Sequence, residues 1–440
     1  MRDLLIALVV TFGCVAALRR PWIGVLLWTW IGLFNPHKYA YGFSVDAPLA
    51  AAAAVATGIG LVFTRERASP FKGEPVVVLF VFMLWITLSW AMGLDPRRDF
   101  EQWLKVMKID VMLLVTLALL HSKKHIFAFA WVVSMSLGVL GAKGGLFTLA
   151  TGGGSRVWGP SGTFIAGNNE FALALVVTIP LLRFLQMQLS SKRGQHVMTL
   201  VMLLCAVAAL GSHSRGALLA LSGMAIVMWW RGRNRFVGGV AFLSIAVSLL
   251  AFMPENWTLR MATINSYEVD PSALGRLSAW SLAWNAAFQY PFGVGFNATL
   301  AELFERYSIY GLEFGTPVAH SIYFQVLGHH GFVGLALFLL MWIVSWWSAG
   351  RLRKEAQGIP EARWCFDLAG MCQVALVGYL VGGAFLSLAY LDLPYYVMIL
   401  IVVARVWVRR SAWTTETIEP PRWRWLRIPG LAPTLASKAL

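Results

Sequence analysis

Long apolar runs, separated by short polar loops, occupy most of the chain. A helix needs about 20 apolar residues to cross a bilayer. The runs that approach this length are 3–18, 46–64, 75–93, 104–121, 125–142, 169–187, 196–211, 215–231, 235–253, 331–348, 366–389 and 392–408. The run 22–34 is shorter, and its assignment is ambiguous. We therefore predict about twelve transmembrane helices, or thirteen if residues 22–34 also cross.

One polar interruption, from about Glu255 to Gly334, breaks this pattern. It predicts one large loop region before the last three helices, with the helices on either side crossing the membrane. The predicted fold class is an all-α, polytopic integral membrane protein. We expect residues 1–410 to form a single membrane domain, with the loop region at 254–330, and residues 411–440 to form a basic tail in the cytoplasm.

The composition supports the membrane class and argues against nucleic acid as a partner. Hydrophobic residues make up 58% of the 440 residues, and charged residues only 13%. The net charge is +15, but the basic residues fall mainly in short clusters between apolar runs, as in cytoplasmic loops. The four cysteines lie in or beside apolar runs and suggest neither a zinc site nor a disulfide framework.

The position of positive charge predicts the orientation, because Lys and Arg in short loops mark the cytoplasmic side. Five basic loops alternate along the chain: Arg65/Arg67/Lys72, Lys123/Lys124, Arg183/Lys192/Arg193, Arg231/Arg233/Arg235 and Arg351/Arg353/Lys354. This scheme places the polar interruption outside. The pair Arg19-Arg20 fits only if both early runs cross and the N-terminus is external. We prefer twelve helices with both termini inside, which requires residues 22–34 to dip without crossing.

A second set of basic residues falls on the predicted outer face, where the positive-inside rule disfavours it. The set consists of Lys105, Lys108, Lys143, Arg156, Arg215, Arg260, Arg276 and Arg306. Cations held at that face suggest an anionic ligand, and phosphate is the commonest anion that a membrane enzyme handles. Arg215 stands out because Ser214 before it is a natural N-cap, so free backbone N–H groups and the positive helix end share its position. An arginine that only extends to the lipid headgroups is the alternative.

His320 is the candidate general base in the interruption. It follows Gly315-Thr316-Pro317, which must break a helix, and it precedes an apolar run, so we expect it at a helix start. Tyr323 would share its face. A neutral imidazole there could accept a proton from a hydroxyl group near pH 7. A metal site built from histidines 320, 329 and 330 is disfavoured, since their spacing is unusual and residues 318–334 contain no Asp or Glu.

Several motifs carry a resemblance to a known family. They are Arg19-Arg20-Pro21-Trp22-Ile23-Gly24 through Asn35-Pro36-His37, Trp158-Gly159-Pro160-Ser161-Gly162-Thr163-Phe164-Ile165 before Asn168-Asn169, Ser214-Arg215-Gly216, Arg276 with Trp280, Gly293-Val294-Gly295, and His320. Over residues 1–410 the chain resembles the O-antigen ligase superfamily, which includes O-antigen ligases, O-antigen polymerases and protein O-oligosaccharyltransferases. The first two motifs look like the subgroup labelled O-glycosylation ligase. Ser321 and His329 depart from the Asn and Glu that many members have there.

The resemblance implies glycan transfer from undecaprenyl diphosphate to an acceptor hydroxyl, at a periplasmic active site in the bacterial inner membrane. It implies an O-antigen ligase with lipid A-core as the acceptor, His320 as general base, and Arg215 and Arg276 on the diphosphate, whose developing charge needs cations. Further candidates for substrate contact are Lys108, Lys143, Arg156, Asn168, Asn169, His213, Trp280, Tyr323 and Gln325. Membrane lipids are the other expected partners. Neither a metal nor another cofactor is expected.

Two alternatives stay open from the residues alone. A lipid-linked oligosaccharide transporter would place ionisable groups at mid-membrane depth, where this chain has only Asp110, for which pairing with Lys105 or Lys108 is the simplest explanation. Within the superfamily, a protein O-oligosaccharyltransferase or an O-antigen polymerase would use an acceptor that also presents a hydroxyl group, so residue types do not separate them.

Overall fold

The structure is a computed structural model that describes residues 1–231, 255 and 271–416. The predicted span 235–253, Arg260 and the tail beyond residue 416 lie outside the described residues. Throughout these described ranges the chain forms helices and no strand. The prediction of an all-α protein is therefore confirmed.

Fourteen α-helices make up the part of the chain that the structure describes. They are α1 (Arg2–Arg19), α2 (Pro21–Phe34), α3 (Leu49–Phe63), α4 (Glu74–Ala91), α5 (Pro96–Leu119), α6 (Lys123–Ala150), α7 (Asn168–Met187), α8 (Lys192–Gly211), α9 (Arg215–Arg231), α10 (Pro271–Gln289), α11 (Ala301–Tyr307), α12 (Ile322–Ala356), α13 (Arg363–Gly383) and α14 (Asp392–Arg409). Among the described residues, six helices are long and apolar enough to cross a membrane: α4, α6, α7, α8, α12 and α13. A polytopic membrane protein is thus supported, while the number twelve stays a prediction.

The first three helices alternate in direction. Asp3, near the start of α1, accepts a hydrogen bond from the Ser44 hydroxyl at 2.6 Å, so the start of α1 lies beside the segment between α2 and α3. Near the end of α3, Gly60 packs so closely on Ala17 that a Cβ would overlap the Ala17 carbonyl oxygen. Helix α2 therefore runs between the same two ends as its neighbours. With 14 residues, α2 is shorter than the six described helices that are long and apolar enough to cross a membrane, so the dip of residues 22–34 and the alternative of thirteen spans both stay predictions.

Helix α14 occupies the centre of the bundle. It packs against α4, α5, α6, α7, α12 and α13, and nearly all of its side chains are buried. Near its end, the buried Arg405 guanidinium forms ion pairs with Glu74 at 2.7 Å and with Glu355 at 3.2 Å. A buried charge is tolerated only when it is paired, so these carboxylates fix the adjoining ends of α4, α12 and α14 together.

The predicted loops separate into two groups at opposite ends of the bundle. Contacts at one end join the basic loops: the Ala68 N–H donates to the Ala118 carbonyl at 2.9 Å, and the Lys123 N–H donates to the Glu416 carboxylate at 3.2 Å. The other end carries residues 92–95, 151–167, 290–321 and 384–391, and we call it the site end. Among the described residues, the basic loops at 65–72, 123–124, 183–193 and 351–354 thus share one end of the fold.

Candidate functional site

Helix α12 is broken at Gly331, whose φ of 66° lies in the left-handed region. A Cβ at this position would overlap the Pro291 carbonyl oxygen, so only glycine fits. The break removes helical partners from carbonyl groups of the preceding turn. The Val294 N–H donates to the Gly328 carbonyl at 3.0 Å, and the Gly295 N–H donates to the His329 carbonyl at 3.1 Å. The loop therefore satisfies backbone groups that the break exposes.

Residues 293–296 form this clamp loop, and two glycines make its close approach feasible. Gly293 has a φ of 82°, and a Cβ there would overlap the His329 carbonyl oxygen. A Cβ at Gly295 would overlap the Asp99 carboxylate, which accepts a hydrogen bond from the Phe296 N–H at 2.7 Å. The Gly-x-Gly pattern in the sequence is therefore a packing requirement of the loop against α5 and α12.

His329 and His330 take part in a hydrogen-bonded network beneath the clamp loop. The Tyr390 hydroxyl lies 2.9 Å from His329 Nδ1 and 2.7 Å from His330 Nε2, while the Ser89 hydroxyl lies 2.8 Å from His330 Nδ1. The Trp85 indole N–H donates to the His330 carbonyl at 2.9 Å. Across the described ranges, no group of three His, Cys, Asp or Glu side chains is placed to hold a metal ion. These two histidines join α4, α12 and the 384–391 loop.

His320 lies just before α12, with a left-handed φ of 44° and a half-buried side chain. Ser321 is the N-cap residue of α12, although its side chain makes no capping hydrogen bond. Burial lowers the pKa of the His320 imidazole, and the nearby Arg276 charge lowers that pKa further. Both effects favour the neutral ring, which carries a lone pair able to accept a proton.

Trp280 contacts the residues on both sides of His320. The Trp280 ring stacks on Phe324 with centroids 4.9 Å apart, and its indole N–H donates to the Ala319 carbonyl at 2.6 Å. Trp280 therefore fixes the backbone immediately before His320. The Tyr323 hydroxyl donates to the Leu380 carbonyl at 2.8 Å, which directs it toward α13.

The turn before Arg215 is built by its polar neighbours. The Ser214 hydroxyl accepts a hydrogen bond from the Ala217 N–H at 3.2 Å, which confirms the predicted N-cap. His213 has a φ of 58° and its buried Nε2 lies 2.9 Å from the Gly153 carbonyl, while the Asn168 amide donates to the Ser212 carbonyl at 2.7 Å. Arg215 is half-buried at the start of α9. His213 and Asn168 thus support the turn that carries it.

The 384–391 loop lies between the Arg215 turn and α12. A Cβ on Gly216 would lie 3.3 Å from the Phe385 side chain, and the Ala389 N–H donates to Gln325 Oε1 at 3.1 Å. Ser387 of this loop lines a cavity of about 240 Å³. The loop therefore connects the segments that carry Arg215 and His320.

This cavity has an uncharged wall, and we call it the uncharged cavity. Residues 317–319, directly before His320, form part of the wall. Its polar side chains are Gln102, Thr299, Gln325, His329 and Ser387, and its aromatic ones are Phe296, Phe304 and Phe324. Amide and hydroxyl groups beside aromatic rings suit a sugar, which offers hydroxyl groups and apolar ring faces.

A second cavity of about 240 Å³, the lysine cavity, is lined by Lys38, Lys105 and Lys108. The Lys105 ammonium lies 3.8 Å from the Phe164 ring centroid. The sequence pattern did not indicate a role for Lys38, although Asn35-Pro36-His37 directly before it is part of a motif. Asp110, for which a lysine partner was expected, forms no ion pair with any described residue.

The remaining predicted contacts are placed apart from the two cavities. Lys143 is exposed, with its ammonium 4.7 Å from the Tyr39 ring centroid, and Arg156 is exposed on the 151–167 segment. Asn169 is half-buried in the first turn of α7. Gln325 thus lines the uncharged cavity, while Trp280 and His320 lie beside residues 317–319 of its wall and the Arg276 charge lies near His320.

Fold and site define a polytopic helical membrane protein whose polar residues converge at one end of the bundle. Residues 200–339 match the family described as O-antigen ligase, and residues 1–190 match a family of unknown function (DUF5935). The match over residues 200–339 supports membership of the O-antigen ligase superfamily, in agreement with the resemblance found in the sequence. The matched segment 200–339 contains Arg215, Arg276 and His320. The match supports a glycosyltransferase-type enzyme of the ligase or polymerase kind. No curated protein matches the chain.

Proposed function

We propose that this protein is an O-antigen ligase that transfers glycan from undecaprenyl diphosphate to a hydroxyl group of lipid A-core. The observation that carries the proposal is the placement of His320 beside both the Arg276 charge and the wall of the uncharged cavity. A base and a cation at the edge of a sugar-sized cavity are the groups that this transfer needs. The family match over residues 200–339 supports the same activity.

In the proposed mechanism His320 accepts the proton of the acceptor hydroxyl. The hydroxyl oxygen then forms a bond to the anomeric carbon of the donor glycan from the side opposite to the diphosphate. The anomeric C–O bond breaks, and its electron pair leaves with the diphosphate. This attack inverts the anomeric centre.

Arg215 and Arg276 stabilise the negative charge that develops on the diphosphate in this mechanism. Cations positioned before the reaction stabilise a transition state without having to reorganise, and they act more strongly in a partly dry site. The proposal needs no metal, because a diphosphate leaves without being protonated and the two guanidinium groups offset its charge. The site end would then face the periplasm, with the bundle in the bacterial inner membrane.

Removal of the base tests the proposal. His320→Asn is the preferred variant, because Asn tolerates the left-handed φ of 44° but cannot act as a base. His320→Ala is the second variant, and His196→Ala, exposed at the opposite end, is the control. We expect transfer to fall by about 10²- to 10⁴-fold for both His320 variants, as for other positioned bases, with donor binding unchanged.

The assay uses purified protein, the lipid-linked donor and three acceptors in parallel: lipid A-core, an acceptor protein and a second lipid-linked glycan. One arm contains excess EDTA, in which activity should persist. Wild-type rates for the His320 variants would refute the assignment of the base. Transfer only to protein or only to lipid-linked glycan would replace ligase by O-oligosaccharyltransferase or polymerase.

A further inference from the structure

The lysine cavity is not used by the proposed transfer step, and it shares no lining residue with the uncharged cavity. The two cavities are nevertheless neighbours. Gln102 lines one and Lys105 lines the other, three residues apart on α5, or about 4.5 Å along the helix axis. Ser387 and Leu391 likewise belong to different cavities on one short loop. A ligand in the lysine cavity would lie next to the reacting sugar.

The charge of the lysine cavity favours an anion. Lys38, Lys105 and Lys108 line it, and none of them forms an ion pair with another described residue. The carboxylate in the wall is that of Asp392, which is buried and accepts a hydrogen bond from the Tyr396 hydroxyl at 3.0 Å. Three cations against one carboxylate leave an excess of two positive charges. Phosphate groups suit this excess, because the lysine ammonium is a compact point charge that binds phosphate strongly.

The rest of the wall favours a lipid over a free phosphate ion. Trp28, Ala50 and Ile109 contribute apolar surface from α2, α3 and α5, which are apolar along much of their length. A site with cations at one part and apolar side chains beside them matches an amphiphile with a phosphorylated headgroup.

We infer that the lysine cavity binds the phosphate groups of the acceptor glycolipid, and so holds the acceptor sugar beside the uncharged cavity. This inference rests on the proposed function, because a transfer between two lipid-linked substrates needs two headgroup sites. Arg215 and Arg276 are assigned to the donor diphosphate, so the lysine cavity remains for the acceptor. Lys108 then binds the acceptor, and a phosphorylated acceptor lipid is the class of substrate that the cavity selects.

The test measures binding, so it does not depend on transfer. Full-length protein in nanodiscs of neutral phosphatidylcholine is titrated with bisphosphorylated lipid A and with the dephosphorylated form. The variant replaces Lys38, Lys105 and Lys108 by Gln. The matched control replaces Lys124, Lys192 and Lys354, exposed lysines at the opposite end, by Gln. A third variant replaces the three cavity lysines by Arg, which keeps the charge if the Gln variant folds poorly.

We expect wild type, the control and the Arg variant to prefer the bisphosphorylated probe by about tenfold or more, since charge-assisted contacts to phosphate are among the strong ones. The Gln variant should lose this preference and still bind undecaprenyl diphosphate as wild type does. Equal binding of both probes by wild type would overturn the inference. So would full competition by inorganic phosphate, which would indicate a free-ion site, or by phosphatidylglycerol, which would indicate a general lipid site.

Two outcomes separate this inference from the proposed function. Loss of undecaprenyl diphosphate binding in the Gln variant would assign the lysine cavity to the donor, and it would overturn the acceptor assignment alone. A phosphate-dependent preference in a protein that transfers no glycan to any acceptor would leave the phospholipid site in place and overturn the proposed function.

Discussion

Replacement of Gly293 by Ala tests the role of the clamp loop. The residue has a φ of 82°, and a Cβ would overlap the backbone of His329. The loop must then move away from α12, which breaks the hydrogen bonds from the Val294 and Gly295 N–H groups to the carbonyls of Gly328 and His329. Both acceptors lie at the break, and the His329 carbonyl also accepts a hydrogen bond from the Ser89 hydroxyl at 3.0 Å.

The expected loss of stability has two parts. An L-residue in the left-handed region costs about 1–2 kcal/mol. Two backbone hydrogen bonds add about 1–3 kcal/mol, taking the usual net contribution of each bond. Gly358→Ala is the matched control, since its φ is also 82° and no atom lies within 4 Å of its Cβ position. The control should lose only the first part, so the two variants should differ by about 1–3 kcal/mol.

Thermal unfolding with a thiol-reactive dye can measure this difference, because Cys205, Cys365 and Cys372 are free and buried. We expect Gly293→Ala to unfold at a lower temperature than Gly358→Ala in the same detergent. Glycan transfer should also fall for Gly293→Ala alone, because Phe296 and His329 belong to the wall of the uncharged cavity. Equal unfolding temperatures for the two variants would refute the clamp as a source of stability.

Three further predictions concern charge and orientation. Arg276→Gln should move the acidic limb of the pH profile of kcat/KM to higher pH. Burial still lowers the pKa of His320, but the cation that lowers this pKa further is gone, so His320 loses its proton at a higher pH. An acidic limb at the same pH in both proteins would contradict this prediction. Arg215→Lys should reduce transfer by about 10²-fold or more if the guanidinium grips two phosphate oxygens, as for loss of one preorganised donor; near-normal rates at equal protein level would mean that Arg215 only reaches the headgroups. A reporter fused near Ser272 should indicate periplasm and one near Arg353 cytoplasm; a cytoplasmic signal at Ser272 would exclude the proposed active site.

Hydropathy predicted most helices well, because a helix needs apolar side chains whether it is buried in lipid or inside a bundle. The run 215–231 coincides with α9, and the run 392–408 differs from α14 by one residue. Hydropathy predicted α12 less well, because the predicted run 331–348 omits the first turns of this helix. The polar residues before residue 331 suggested a loop, whereas they form a helical turn whose polar groups are satisfied by α4 and Tyr390. Those partners are distant in sequence, so periodicity does not contain them.

The candidate site was predictable where a residue acts through its own local geometry. The Ser214 cap before Arg215 needs only neighbours in sequence, and it was found. The lysine cavity is formed by several helices at once, so Lys38 was missed. Asp110 was expected to pair with Lys105 or Lys108, but it forms no ion pair with any described residue. The structural roles of Gly293 and His330 likewise depend on contacts between α12 and segments distant in sequence.

The central position of α14 has a consequence for biosynthesis. The six helices that surround it all precede it in the chain, so they emerge from the ribosome first. Until α14 is synthesised, the bundle lacks its central helix. The apolar faces that α14 covers stay unpacked, and Glu74 and Glu355 lack their ion-pair partner Arg405. Packing of the bundle core is therefore completed only when α14, its central helix, inserts after the six helices that it contacts. A premature stop anywhere before Asp392 would remove the core of the bundle and not only a peripheral segment.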